Sequence, residues 1–261
     1  MAASCAKPRR KVPTLNRLDV SKLVVPPPPP DGPIAQLADL PGPHLLSFSC
    51  GKDSIGMWLA CVAAKIEVVP FYLYTVPPDP ETGELLGFVE RSLRYYEEVF
   101  GTPIIRLPHP NLWRMLNGHF YTAPDMAAVI EAGTARNYSH EDQAELLREQ
   151  LELPNAYRLV GIRVSDSIAR RLAASVTGVF RPEKLVAWPI WDWTAEQLRT
   201  AIRSAGVLLP VEYRISARSF ELLQCASLRP IREHFPDDYR RILRWFPLLE
   251  AEMLRYEMVG L

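Results

Sequence analysis

Residues Ser47-Phe48-Ser49-Cys50-Gly51-Lys52-Asp53-Ser54 join an apolar, strand-like run to a helix through a turn of small residues, and no other stretch constrains the fold as much. Upstream, His44-Leu45-Leu46-Ser47-Phe48 is short and apolar enough for a buried parallel strand; downstream, Ile55, Trp58, Leu59 and Val62 recur at helical spacing. The turn therefore stands at a helix N-terminus. There, free backbone N–H groups and the positive end of the dipole favour an anion by roughly 0.3–1 kcal/mol. The segment reads as a phosphate cradle.

The rest of the chain continues the alternation. Glu67–Tyr74 reads as a second strand, followed by a proline-rich turn and an amphipathic helix over Glu84–Val99; Thr102–Leu107 is a third strand. Asn111–Leu151 is mostly helical in pattern and longer than a minimal crossover, which places it over the substrate side of the sheet. Arg158–Gly161 and Leu185–Trp188 supply two more strands, and Asp237–Tyr256 closes the chain as helix interrupted near Pro247. Short Val-, Leu- and Ile-rich strands alternating with helices imply an α/β fold: a doubly wound, mostly parallel sheet with helices on both faces.

Composition divides the 261 residues into a leader, residues 1–43, and one compact domain, residues 44–261. The leader carries the basic patch Lys7-Pro8-Arg9-Arg10-Lys11 and the run from Pro26 to Pro30, which favours an extended polyproline conformation; it is expected to be weakly structured, a tether or a segment lying loosely on the domain. Balanced charge argues against a dedicated nucleic-acid clamp. No apolar run reaches the length of a membrane helix and the N-terminus lacks an apolar signal core, so a cytoplasmic protein with no membrane partner is expected. Cys5, Cys50, Cys61 and Cys225 are scattered without a C-x-x-C pair, which encodes neither a zinc knuckle nor an iron–sulfur site.

Two familiar cradles do not fit. Walker A requires a glycine five residues before Gly51, where Leu46 stands, and Asp53 follows Lys52 in place of Ser or Thr. A dinucleotide fingerprint needs glycines at G-x-G-x-x-G spacing, and only Gly51 and Gly56 are present. The stretch Ser49-Cys50-Gly51-Lys52-Asp53-Ser54 instead resembles the Ser-Gly-Gly-x-Asp-Ser signature of the PP-loop ATP pyrophosphatases, with Cys50 at the first glycine. Gly161-Ile162-Arg163, followed by Asp166-Ser167-Ile168-Ala169-Arg170-Arg171, is similar to the Gly-Ile-Arg…Glu-Ser-x-x-Arg-Arg segment of the phosphoadenosine-phosphosulfate (PAPS) reductase-like family within that superfamily. Pro189-Ile190-Trp191-Asp192-Trp193-Thr194, then Leu209-Pro210 and Tyr213, resembles a third family segment. Thr194 and Gln197 also form a capping box that starts a helix over Ala195–Ser204.

The resemblance implies an adenine nucleotide alpha hydrolase-like fold, ATP and Mg2+ as ligands, and cleavage of ATP between the α- and β-phosphates to adenylate a second substrate. It implies catalytic roles for Lys52, Asp53, Arg163 and Arg170, with Asp53 on the metal. Nucleotide contacts carry over to Ser47, Ser49, Cys50, Gly51, Lys52, Asp53, Ser54, Gly161, Arg163, Asp166, Ser167, Arg170 and Arg171. An unidentified anionic or acceptor substrate, a sulfur-donor or nucleic-acid-modification partner, and a homodimer belong to the same expectation. The alternatives are a sulfonucleotide reductase or sulfur-transfer protein and a non-catalytic nucleotide-binding module. Reductases of the family carry a catalytic cysteine in a C-terminal tail, and Glu257–Leu261 holds none.

Plainer readings stand beside these. Trp188, Trp191 and Trp193 flank a strand end and suit core packing; His109, between Pro108 and Pro110, suits a turn near the crevice; His119 and His140 suit the surface. Cys50 suits a small structural residue, Glu97 and Glu98 a solvated helix face, and the arginines after Gly161 either an anion site or surface ion pairs.

Overall fold

The computed structural model describes residues 18–124, 130, 138–216, 220 and 223–259. In chain order their elements are α1 (Pro33–Ala38), β1 (His44–Ser47), α2 (Lys52–Ala63), β2 (Val68–Tyr74), α3 (Gly87–Phe100), β3 (Ile105–Pro108), α4 (Pro110–Asn117), α5 (His140–Gln150), β4 (Arg158–Leu159), α6 (Ile168–Thr177), β5 (Phe180–Arg181), β6 (Val186–Ala187), α7 (Ala195–Ser204), α8 (Glu212–Ser216), α9 (Cys225–His234), α10 (Pro236–Trp245) and α11 (Leu249–Met258). The strands form one six-stranded sheet in the order β3-β2-β1-β4-β6-β5. Every pairing is parallel except β5 with β6.

Successive strand residues point to opposite faces, and β1 shows what each face buries. Leu46 joins Trp58 and Leu59 of α2, Leu93 and Tyr96 of α3 and Leu198 of α7 in the main core. Leu45 joins Phe71 of β2 and Ala144 and Leu147 of α5 in a second cluster. Helices therefore cover both faces, and the fold is the doubly wound α/β sheet expected from the alternation. α2 lies against α7 so closely that a Cβ on Gly56 would fall 2.2 Å from Leu198 Cδ1. No helix among the described residues is long and apolar enough to cross a membrane.

Three expectations are corrected. Residues 18–43 are not a loose tether: α1 buries Ile34 and Leu37, and Leu23 and Val25 pack on the main core. The Leu18 N–H donates to the Val99 carbonyl at 3.1 Å and the Val24 N–H to Ser204 Oγ at 2.9 Å. The physical reason is that a proline run, although it cannot nucleate a core, presents an apolar edge; Pro26–Pro29 lie along α2 and Trp193. The basic patch Lys7–Lys11 and Cys5 lie outside the described residues, as do parts of the Asn111–Leu151 stretch. Second, Glu97 does not face solvent; its carboxylate bonds Arg106 and accepts the Ile104 N–H at 2.8 Å, tying α3 to β3. Third, the edge strand β5 and the helices α6 and α9 were not anticipated.

Candidate functional site

β1 is paired to β2 on one side and to β4 on the other, so the chain winds away from it in both directions. Open α/β sheets bind ligands in the crevice outside the carboxyl ends of the strands at such a switch point. The turn after β1 and the segment after β4 meet there.

The turn is braced from within. Ser54 Oγ donates to the Gly51 carbonyl at 2.9 Å and accepts the Ser49 N–H at 3.2 Å, while Ser49 Oγ accepts the Gly51 N–H at 3.3 Å. Gly51 is the N-cap of α2 and offers no side-chain cap. The Lys52 N–H is instead taken by the Tyr213 hydroxyl at 3.1 Å, a contact from α8 that sequence reasoning left out of the site. Cys50 adopts φ 58°, the left-handed region that favours glycine, and its side chain is buried in the main core. The substitution of Cys for glycine thus points its Sγ into the protein, not across the cradle. Burial first, and the nearby Glu212 second, push its thiol well above the usual range. Cys61 is buried likewise and pushed up to about 12 by burial.

Opposite the turn stands Gly161. A Cβ here would lie 3.0 Å from the Asp53 carbonyl carbon and 3.1 Å from the Ser54 nitrogen, so the two segments touch backbone to backbone and any larger residue would push them apart by a few tenths of an ångström. A chain of alternating charges then crosses the contact. Lys52 Nζ lies 3.1 Å from Asp53 Oδ2, and Asp53 Oδ1 accepts from Arg163 Nε at 2.6 Å. Arg163 Nη2 donates to Asp166 Oδ1 at 2.5 Å, and Asp166 Oδ2 accepts from Arg170 Nη1 at 2.5 Å.

This geometry corrects the reading of the arginines. Arg163, 2% exposed, has its remaining donors on Ser165 Oγ and the Trp193 carbonyl and presents no free fork to a ligand. It positions Asp53 and Asp166 instead. The ends of the chain, Lys52 and Arg170, are partly exposed and both line the crevice; Arg171 does not. Ser167 caps α6 by accepting the Arg170 N–H at 3.1 Å, and neither it nor Asp166 lines the cavity.

The crevice holds a cavity of about 470 Å³, within the size of small-molecule sites. One end is formed by Ser47, Ser49, Gly51–Ser54 and Gly161, the other by Thr75, His109 and Asn111. His109 caps α4: its Nδ1 accepts the Asn111 N–H at 2.9 Å, which puts the proton of the neutral ring on Nε2. Its ring meets His140 edge to face at 5.2 Å. Burial, then His140 and Arg114, hold its pKa down at about 4, so it lines the cavity as a neutral imidazole. The position of His109 just beyond β3 was the signal for this role. Trp188 and Trp193 are buried core residues.

For a divalent cation the donor set is modest. No group of three or more His, Cys, Asp or Glu side chains that could hold a metal occurs among the described residues. One carboxylate suits a magnesium ion that is otherwise held by phosphates and water. Asp53 Oδ2, which faces Lys52 Nζ at 3.1 Å, is the carboxylate oxygen that would suit that role.

No family model matches the chain, and no curated protein matches it. Among solved structures it is similar to an NH3-dependent NAD synthetase from Campylobacter jejuni subsp. jejuni NCTC 11168, in complex with a nitrate ion: 12% identity over 87% of this chain and 91% of the other, with a TM-score of 0.40.

Proposed function

We propose that this chain is a PP-loop enzyme of the PAPS reductase-like branch that binds ATP at the switch-point cavity, cleaves it between the α- and β-phosphates and transfers AMP to an oxygen of a second substrate. The observation that carries the reading is the backbone contact of Gly161 with Asp53 and Ser54, which brings both sequence motifs to one cavity with Lys52 and Arg170 at its wall.

Phosphoryl chemistry of this kind needs in-line positioning and neutralisation of charge more than covalent help. The braced turn aims the α2 N-terminus at the phosphates, and Lys52, released from Asp53, moves its charge onto them. Arg163 keeps Asp53 oriented, and Arg170, anchored by Asp166, faces the same cavity. A magnesium ion, when bound, neutralises phosphate oxygens, with Asp53 as its protein ligand. The acceptor oxygen bonds to the α-phosphorus, the bond to the bridging oxygen breaks, and its electron pair leaves with pyrophosphate.

Exchange of labelled pyrophosphate into ATP, measured with magnesium and a panel of acceptors, tests this. Exchange that disappears in Lys52→Ala is the expected result; ATP bound by the wild-type chain with no exchange or pyrophosphate release under any acceptor contradicts it.

A further inference from the structure

A second cavity, also of about 470 Å³, adjoins the first through Tyr213, which lines both. It is lined by the end of α7, by Val207, Leu208 and Leu209, and by Arg203 and Arg214. Its floor is fixed: the Leu208 carbonyl accepts from the Tyr96 hydroxyl at 2.9 Å, and the Leu208 N–H donates to the Tyr95 hydroxyl at 2.8 Å. The Leu208 side chain is nevertheless 56% exposed. Neither Arg203 nor Arg214 has a carboxylate within ion-pair distance among the described residues. Arg203 stands in the last turn of α7 and Arg214 in the last turn of the five-residue α8, so each charge lies toward the carbonyl end of its helix.

We propose that this cavity is the acceptor site and that it takes a small apolar molecule carrying an oxyanion, its body on Leu208 and Leu209 and its charge on Arg214. The inference rests on the adenylation reading for its chemistry and on the cavity alone for its binding. An oxyanion acceptor also suits the first cavity, whose titratable side chains offer no free base: Asp53 is held by Lys52 and Arg163, and His109 is a weak base. An acceptor that arrives deprotonated needs none. Its oxygen bonds to the α-phosphorus, the α–β bridging bond breaks, and pyrophosphate leaves with the electron pair. Tyr213, whose hydroxyl accepts the Lys52 N–H, is the lining residue that the two cavities share.

Calorimetric titration of hexanoate and hexyl phosphate, with hexanol and hexylamine as controls, tests the assignment on the ligand-free chain and on the chain saturated with magnesium ATP. The oxyanions bind and the controls do not; Arg214→Ala weakens the oxyanions by about tenfold, the loss of one charge-assisted contact, and leaves the affinity for ATP within about twofold. Arg214→Lys restores part of the loss. Absence of binding by both oxyanions, equal binding of hexanol, or full oxyanion affinity in Arg214→Ala overturns the proposal. Failure of ATP to bind overturns the reading of the first cavity and leaves the ligand-free result to decide the second.

Discussion

Asp53 shows how one side chain can serve both fold and site. Its carboxylate pairs with buried Arg163 and with half-exposed Lys52, and these contacts differ in consequence because of their surroundings. Removing Asp53 takes one of two carboxylates from a buried guanidinium that Asp166 still holds, so Asp53→Ala should destabilise the chain by about 1.5–3 kcal/mol, the loss of a charge-assisted hydrogen bond, in urea unfolding. Lys52→Ala removes a surface pairing and should cost less than about 1 kcal/mol, while it should weaken nucleotide binding. Equal stability losses for the two would contradict the positioning role of Arg163. Cys50 offers a second test. With φ 58° and a buried side chain, Cys50→Gly exchanges lost burial for backbone relief and should change stability by less than about 1 kcal/mol, whereas β-branched Cys50→Val should cost about 2 kcal/mol or more. The importance of these residues was legible in the sequence. Their division of labour was not, because Arg163 and Asp53 are 110 positions apart and nothing local says which arginine would be consumed by a carboxylate.

Among the elements, legibility followed how local the determining interaction is. α7 spans Ala195–Ser204 as read, because its start is fixed by a capping box within four residues: Thr194 Oγ1 accepts the Gln197 N–H at 3.2 Å and Gln197 Oε1 the Thr194 N–H at 2.7 Å. Thr194→Ala should therefore lower stability by about 1 kcal/mol, measured by thermal or urea unfolding, with Thr194→Ser close to wild type. α1 and the polyproline segment were misread, since their order comes from packing on α2 and α3 and not from their own pattern. β5 pairs antiparallel through residues Phe180 and Arg181 alone, too short a run for any periodicity to register. Tyr213 entered the site by a similar long-range contact, 161 positions from the N–H it caps.

At the scale of the molecule, buried ionisable groups pull stability in opposite directions with pH. Burial pushes Glu212 up to about 7, so in the native chain it keeps a proton that the unfolded chain has lost above about 4.5. Its contribution is complete below that value and declines as pH rises toward 7. His109 is held at about 4 and stays neutral where the unfolded residue, at 6.5, takes a proton; its contribution grows as pH rises from 4 to 6.5, and His44, lowered chiefly by burial, acts the same way. Glu212→Gln should therefore gain stability relative to wild type as pH rises from 4.5 to 7, by roughly 2–3 kcal/mol across the window, in urea unfolding at each pH. A pH-independent difference would contradict the burial of the carboxyl.

The central claim is that two segments, one after β1 and one after β4, close a single nucleotide cavity. Calorimetric titration of magnesium ATP into the wild-type chain, Lys52→Ala and Gly161→Ala tests it most directly, because the variants disturb one segment each. The account predicts one site per chain, weakened by about tenfold or more in both variants. A Gly161→Ala chain that folds and binds ATP as tightly as wild type, or a wild-type chain that takes up no ATP, would contradict it.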